Sequence, residues 1–463
     1  MKKAILILTI VILAALLSGA APAREAMGDG KQLSLEEALE LALASSPALH
    51  ASRMNLEAAG ASRREITASR LPAFRLGGGY TRLSEVPPFE VTLPIPLPPD
   101  VPSSFVVSPV FFNSYSLRLS VEQPLFTGFR LESAAASARH LEAASSGRYR
   151  QDESDLVFEV KRAYWNLVSA GRTAAAVEES KKTVEEHLKD VRAFREQGLL
   201  TAAEVLKAEV RLANVDLQLI EAGNAAVEAG ILLNSLTGLP LEIPIEPTTL
   251  PESTINAVGP EPETEQEGES GAGAAGALRA DLSGHPELTS LRFRIKSAEA
   301  GLKAARSGYF PQVFLSANYY YLRPNPRLMP SSDEFYGTWD AGVSVSLDLW
   351  NWGRTKQQVK QAQSQLARAN DAARLAEDRI RVEITRSRLA MKSARARMDL
   401  AAKTVLMAEE NLRVAREKFK QGLALNSDVL DAQTELFQAR LSRTRAEIEA
   451  ALAAASYEKA LGR

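Results

Sequence analysis

Two hydrophobic periods alternate along this chain. Val313, Leu315, Ala317, Tyr319 and Tyr321 fall on one face of a period-two segment, with Phe314, Ser316, Asn318 and Tyr320 on the other. Trp339, Ala341, Val343, Val345 and Leu347 repeat the pattern against Asp340, Gly342, Ser344 and Ser346, and earlier Tyr115, Leu117, Leu119 and Val121 oppose Ser116, Arg118, Ser120 and Glu122. Elsewhere the period lengthens. Met391, Ala394, Met398, Ala401, Val405, Ala408, Leu412, Ala415 and Phe419 are spaced alternately three and four apart, the seam of a coiled coil in which small alanines permit close packing. Residues 130–198 and 354–422 contain no proline and little glycine, which predicts two helices of roughly 100 Å each. Shorter helices over 34–70 and 204–236 would span about half that length, so that pairs of them, end to end, match one long helix.

The pattern occurs twice. Pro47, Leu49, Pro72, Tyr80 and Leu83 match Pro286, Leu288, Pro311, Tyr319 and Leu322 at one constant offset. A second offset pairs Leu125, Arg130, Gly198, Leu199, Val205, Leu206 and Gly238 with Leu349, Arg354, Gly422, Leu423, Val429, Leu430 and Gly462. The offset changes between Leu83 and Pro124, where the first copy carries an extra proline-rich segment around 86–99 that suits an extended surface loop. Each copy therefore reads as helix, strand, loop, strand, very long helix, tight turn, helix. The predicted organisation is a secretory signal over 1–23, a first repeat over 32–238, a Pro/Gly/Glu-rich linker over 239–284 and a second repeat over 285–463. The linker composition cannot bury a core and suits a loop or mobile segment.

The signal rests on Lys2 and Lys3, an apolar run from Ala4 to Leu17, and small residues ending at Ala23. No later stretch approaches the roughly 20 apolar residues of a membrane helix. If the mature chain crosses a membrane, strands must do it, and segments of about ten alternating residues have the right length when tilted. The two strand pairs of one copy cannot close a barrel, and lipid does not accept open sheet edges, so oligomerisation is forced. A dimer would be cramped, whereas a trimer gives a passage.

Composition narrows the chemistry. A net charge of -2 over 463 residues leaves no basic surface for nucleic acid. Cysteine is absent, so packing must supply the stability. His50, His140, His187 and His285 are widely scattered, without metal-ligand spacing, and read as structural or solvated. No phosphate-binding loop with a following lysine occurs, Gly77, Gly78 and Gly79 lie inside a strand, and no Ser, His and Asp set has motif spacing. These features predict a protein that is not an enzyme and uses no cofactor or metal.

Several short motifs resemble the TolC-type outer-membrane efflux proteins over nearly all of the mature chain. They are Gln123-Pro124-Leu125-Phe126-Thr127-Gly128 at the strand-to-helix junction, Ala163-Tyr164-Trp165-Asn166-Leu167 in the first long helix, and two related turns. The turns run from Gly198 to Leu206 and from Gly422 to Asp431. The resemblance implies a mainly helical fold with membrane strands: an antiparallel coiled-coil tunnel across the periplasm and a twelve-stranded barrel shared by a homotrimer in the outer membrane, in contact with its lipid. It further implies a passive exit duct of a tripartite efflux or type I secretion system. Its partners would be a periplasmic adaptor (membrane fusion) protein and an inner-membrane transporter that supplies the energy.

By the same resemblance, Gly198, Leu199, Thr201, Gly422 and Leu423 would contact the adaptor, while Asp428, Asp431, Glu204 and Phe419 would belong to the gate. Three copies of Asp428 and Asp431 would crowd carboxylates around an axis and attract cations. Several of them also have a plainer reading. The glycines end long helices in left-handed caps, Asp428 complements a helix N-terminus, and Thr201 with Glu204 has capping-box spacing, which is the reading favoured for Glu204. Phe419 and Ala424 stand where well-studied members carry a tyrosine and an arginine that hold the closed state by polar links. Closure here would need packing or other contacts. The competing functional class is a periplasm-spanning scaffold, which explains the heptads but not the strand pairs between the helices.

Overall fold

A computed structural model describes residues 31–249, 251, 282–329 and 331–462, except 88, 93, 95–101, 103 and 109. The signal segment, most of the proline-rich run and most of the expected linker lie outside the described residues.

The elements follow in the order β1 (Lys31–Leu33), α1 (Leu35–Ser45), α2 (Pro47–Ala68), β2 (Ala73–Arg82), β3 (Phe89–Thr92), β4 (Ser104–Ser108), β5 (Asn113–Phe126), α3 (Arg130–Glu196), α4 (Ala202–Thr237) and β6 (Ile245–Pro247). The second copy supplies α5 (Pro286–Arg306), β7 (Gln312–Arg323), β8 (Tyr336–Ser346), α6 (Arg354–Lys420) and α7 (Asn426–Ala460). Helices α3 and α6 are each 67 residues long and unbroken, as the absence of proline requires.

Three expectations are corrected. The helix expected over 34–70 is two helices, because Ser46 adopts an extended conformation before Pro47, which starts α2. The extra segment of the first copy contains an antiparallel hairpin, β3 with β4, that its composition did not suggest. The expected linker is ordered at its start. There β6 pairs in parallel with β1, Ile245 is buried, and Asn234 donates from Nδ2 to the carbonyls of Leu241 and Ile243 at 3.3 and 2.8 Å.

The chain folds into two compact units. Among the described residues, one comprises 31–46 with 156–249 and 387–457. Its largest core surrounds Tyr164 and Trp165, both fully buried. The Tyr164 hydroxyl donates to the Leu33 carbonyl at 3.0 Å and accepts from the Thr249 amide at 2.9 Å, so the motif in α3 anchors both β1 and the chain after β6. The heptad seam of α6 lies inward as its spacing predicts. Of its nine residues six are buried and Met398, Ala401 and Ala415 are half-buried.

The second unit comprises, among the described residues, 47–155, 282–386 and 458–462. It holds an antiparallel four-stranded sheet in the order β2-β5-β7-β8. Leu76, Leu119, Tyr319 and Trp339 align across all four strands on one face. That face is exposed and apolar: Phe74, Leu117, Leu315, Val343 and Val345 extend it. The other face carries serines, glycines and charged residues. Pro124 has no N–H to donate, and the β5–β7 register shifts between it and Phe126. Beyond the shift, Gly128 has φ 61° and a Cβ there would lie 2.7 Å from the Ser307 carbonyl oxygen, which explains the glycine of the junction motif.

Candidate functional site

Both long helices end by the same device. Gly198 and Gly422 take left-handed φ values of 77° and 72°. The amide of Leu199 donates to the Phe194 carbonyl at 2.9 Å and that of Gly198 to Arg195 at 2.9 Å. Leu423 and Gly422 repeat this with Lys418 and Phe419 at 2.8 and 2.9 Å, so each turn is a Schellman closure. Leu199 and Leu423 are left 67% and 73% exposed.

The fold brings the two turns together. Leu199, Thr201 and Glu204 line one apolar groove with Phe419, Gly422, Ala424 and Leu425. Behind it, Val191, Val205, Leu412, Phe419 and Val429 share a buried cluster. Phe419 packs edge-on against His187 and Phe194, with ring centroids 5.2 and 5.4 Å away. This candidate gate residue therefore sits inside the helical bundle of its own chain.

Thr201 begins α4 with an extended backbone, but its side chain caps nothing. The capping box expected of Thr201 and Glu204 is absent. The Glu204 carboxylate instead accepts from Lys207 Nζ at 2.8 Å and from Asn426 Nδ2 at 2.9 Å, and these two bonds, that to Lys207 the stronger, hold its pKa below the ordinary carboxylate value. Asp428 does what Glu204 does not. Its Oδ2 accepts from the Leu425 amide at 2.8 Å, half of a capping box, and the side chain is exposed, as is that of Asp431 one turn further on.

Two further residues complete the site: His187, outside the motifs, and Asn426, within the second turn motif. His187 and Asn426 are 4% and 3% exposed, and His187 Nε2 lies 2.6 Å from Asn426 Oδ1. Because Nδ2 of that amide faces the Glu204 carboxylate, Oδ1 accepts and the imidazole donates. Burial pushes the His187 pKa down, partly offset by the bond to Asn426. A signal for His187 was present in the spacing, since it falls between Val184 and Val191 on the stripe that α3 buries. Asn426 thus ties α7 to both α3 and α4.

The model of the family described as outer membrane efflux protein matches residues 38–239 and 278–463, most of the chain. The chain belongs to that family. This efflux protein is an exit duct of the outer membrane. It is similar to the outer membrane efflux protein BepC of Brucella suis, at 24% identity over 346 residues covering 74% of this chain and 71% of that one. It is also 24% identical over 263 residues to the alkaline protease secretion protein AprF of Pseudomonas aeruginosa, covering 56% of this chain and 51% of that one. Its fold resembles that of the outer membrane protein VceC of Vibrio cholerae with a TM-score of 0.73 and 19% identity, over 92% of this chain and 96% of that one.

For the efflux protein no helix is long and apolar enough to cross a membrane among the described residues. The four-stranded sheet, with its exposed apolar face, is the element suited to lipid.

Proposed function

We propose that three copies of this efflux protein close their sheets into one twelve-stranded barrel and act as the passive exit duct of a tripartite efflux or type I secretion system. The observation that carries the reading is the sheet itself: among the described residues β2 and β8 end it as unpaired edges of 10 and 11 residues beside a face that suits lipid. A second observation supports assembly of like chains. Helix α4 buries Val205, Ala208, Val215, Ala222 and Leu233 within its own chain, yet Leu206, Val210, Leu217, Ile220, Val227 and Ile231 form another heptad stripe that is exposed.

In this reading the groove between the turns, with Gly198, Leu199, Thr201, Gly422 and Leu423, receives a periplasmic adaptor protein, which links the duct to an inner-membrane transporter. Asp428 and Asp431 face the passage near the turns, Phe419 holds the gate from inside the bundle, and Glu204 holds it from the groove. The duct performs no reaction of its own, and energy comes from the transporter. Outer-membrane fractions should yield a heat-resistant trimer that conducts ions in planar bilayers. A monodisperse monomer that stays soluble without detergent would defeat the proposal.

A further inference from the structure

The polar face of the sheet carries an unbalanced charge. Arg75 is paired with Glu122 at 3.0 Å, and Arg327, from the turn after β7, is paired with Asp340 at 2.7 Å. Arg118 lies on the same face, in register with Gly77 on one side and Tyr320 on the other. Its Nη2 and Nε donate to the neutral amide oxygen of Asn318 at 2.8 and 3.2 Å, and it forms no ion pair with a carboxylate among the described residues. Three guanidinium groups therefore meet two carboxylates, and Arg118 is the one left over.

Its surroundings hold that charge in place. The Arg118 guanidinium lies 5.3 Å from the Tyr320 ring centroid, as does that of Arg327. Asn318 passes its own Nδ2 hydrogen to Asp340 at 2.7 Å, which fixes the amide so that its oxygen faces Arg118. Arg118 is exposed on this polar face, and a narrow passage with low-dielectric walls concentrates the field of such a group.

We propose that Arg118 gives the strand-lined part of the passage an anion-favouring bias, so that chloride, and carboxylate or phosphate groups on cargo, are drawn through it. The inference rests on the barrel reading above, in which the polar face lines the lumen and three copies of Arg118 surround it. The turn carboxylates Asp428 and Asp431 carry the opposite sign.

The test is the reversal potential of the intact protein in planar bilayers under a potassium chloride gradient, compared among wild type, Arg118→Lys, Arg118→Gln and Arg118→Glu. Arg118→Lys should keep the chloride-to-potassium permeability ratio. Arg118→Gln, which can still hydrogen-bond to Asn318, should lower it, and Arg118→Glu should lower it further, by about twofold or more, since a potential change near one kT shifts local ion concentration by such a factor. If Arg118→Glu does not assemble, the neutral variant carries the comparison alone. Conducting channels with equal ratios in wild type and Arg118→Gln would overturn the assignment. A wild-type protein that forms no channel would instead overturn the barrel reading beneath it.

Discussion

The two helix turns share a backbone and differ in how they are fastened. Glu204 and Asp428 occupy equivalent positions in the two copies, three residues after Thr201 and Leu425. Asp428 turns back onto its own helix and accepts the Leu425 amide, whereas Glu204 reaches across to Asn426 of the other hairpin. Asn426 itself corresponds to Ala202, whose methyl group cannot return the contact. A duplicated turn thus keeps what one glycine can impose and diverges where side chains from distant parts of the chain must meet. One turn became self-contained, and the other became a strap between hairpins.

The strongest way to break this comparison is Phe419→Ala, which empties the packing beside His187 and Phe194. It should cost about 3–5 kcal/mol in denaturation of the intact protein in detergent, and a loss below about 1 kcal/mol would show that the groove relaxes freely. Asn426→Ala comes next. It leaves the buried His187 donor unmet and removes one of the two bonds that stabilise the Glu204 carboxylate, for a loss of about 2–3 kcal/mol. Ala202→Gly at the equivalent position should lack any such polar term, costing about 1 kcal/mol or less as a helix-start change.

Gly198→Ala and Gly422→Ala test the shared part. No heavy atom lies within 4 Å of a Cβ at either position, so each should cost only the left-handed backbone penalty of about 1–2 kcal/mol. A difference between them above about 0.5 kcal/mol would mean that the turns are not backbone equivalents. Asp428→Ala should cost about 1 kcal/mol, and Thr201→Ala less than about 0.5, because the threonine hydroxyl caps nothing.

The finest separation comes from pH. The His187 pKa is lowered in the folded bundle, so an unfolded or splayed state binds a proton first. Stability from this residue is complete above its ordinary value of 6.5 and is lost as pH falls from there through the lowered value. The Glu204 contribution is complete above its ordinary value of 4.5 and is lost only below it. Thermal stability should therefore fall between pH 7.5 and 5 in wild type and change less in His187→Gln. Equal slopes would remove His187 from the strap.

The chain's own pattern was enough for much of this. The seam from Met391 to Phe419, the alternation along β7 and β8, the absence of proline in α3 and α6 and the two glycine caps are local properties, each set by neighbours within a few residues of one another. Even the break before Pro47 was written locally, though the helical period on both sides hid it. The tertiary structure alone decided which polar groups meet: His187 with Asn426 across 239 residues of chain, Asn426 with Glu204 across 222, and Arg118 with Asn318 across 200. It also decided that residues after Gly238 return as β6 beside β1, although their composition suggested a loop. Periodicity states which side of an element faces inward, but a hydrogen bond between distant segments depends on register and rotation that only the packed elements define.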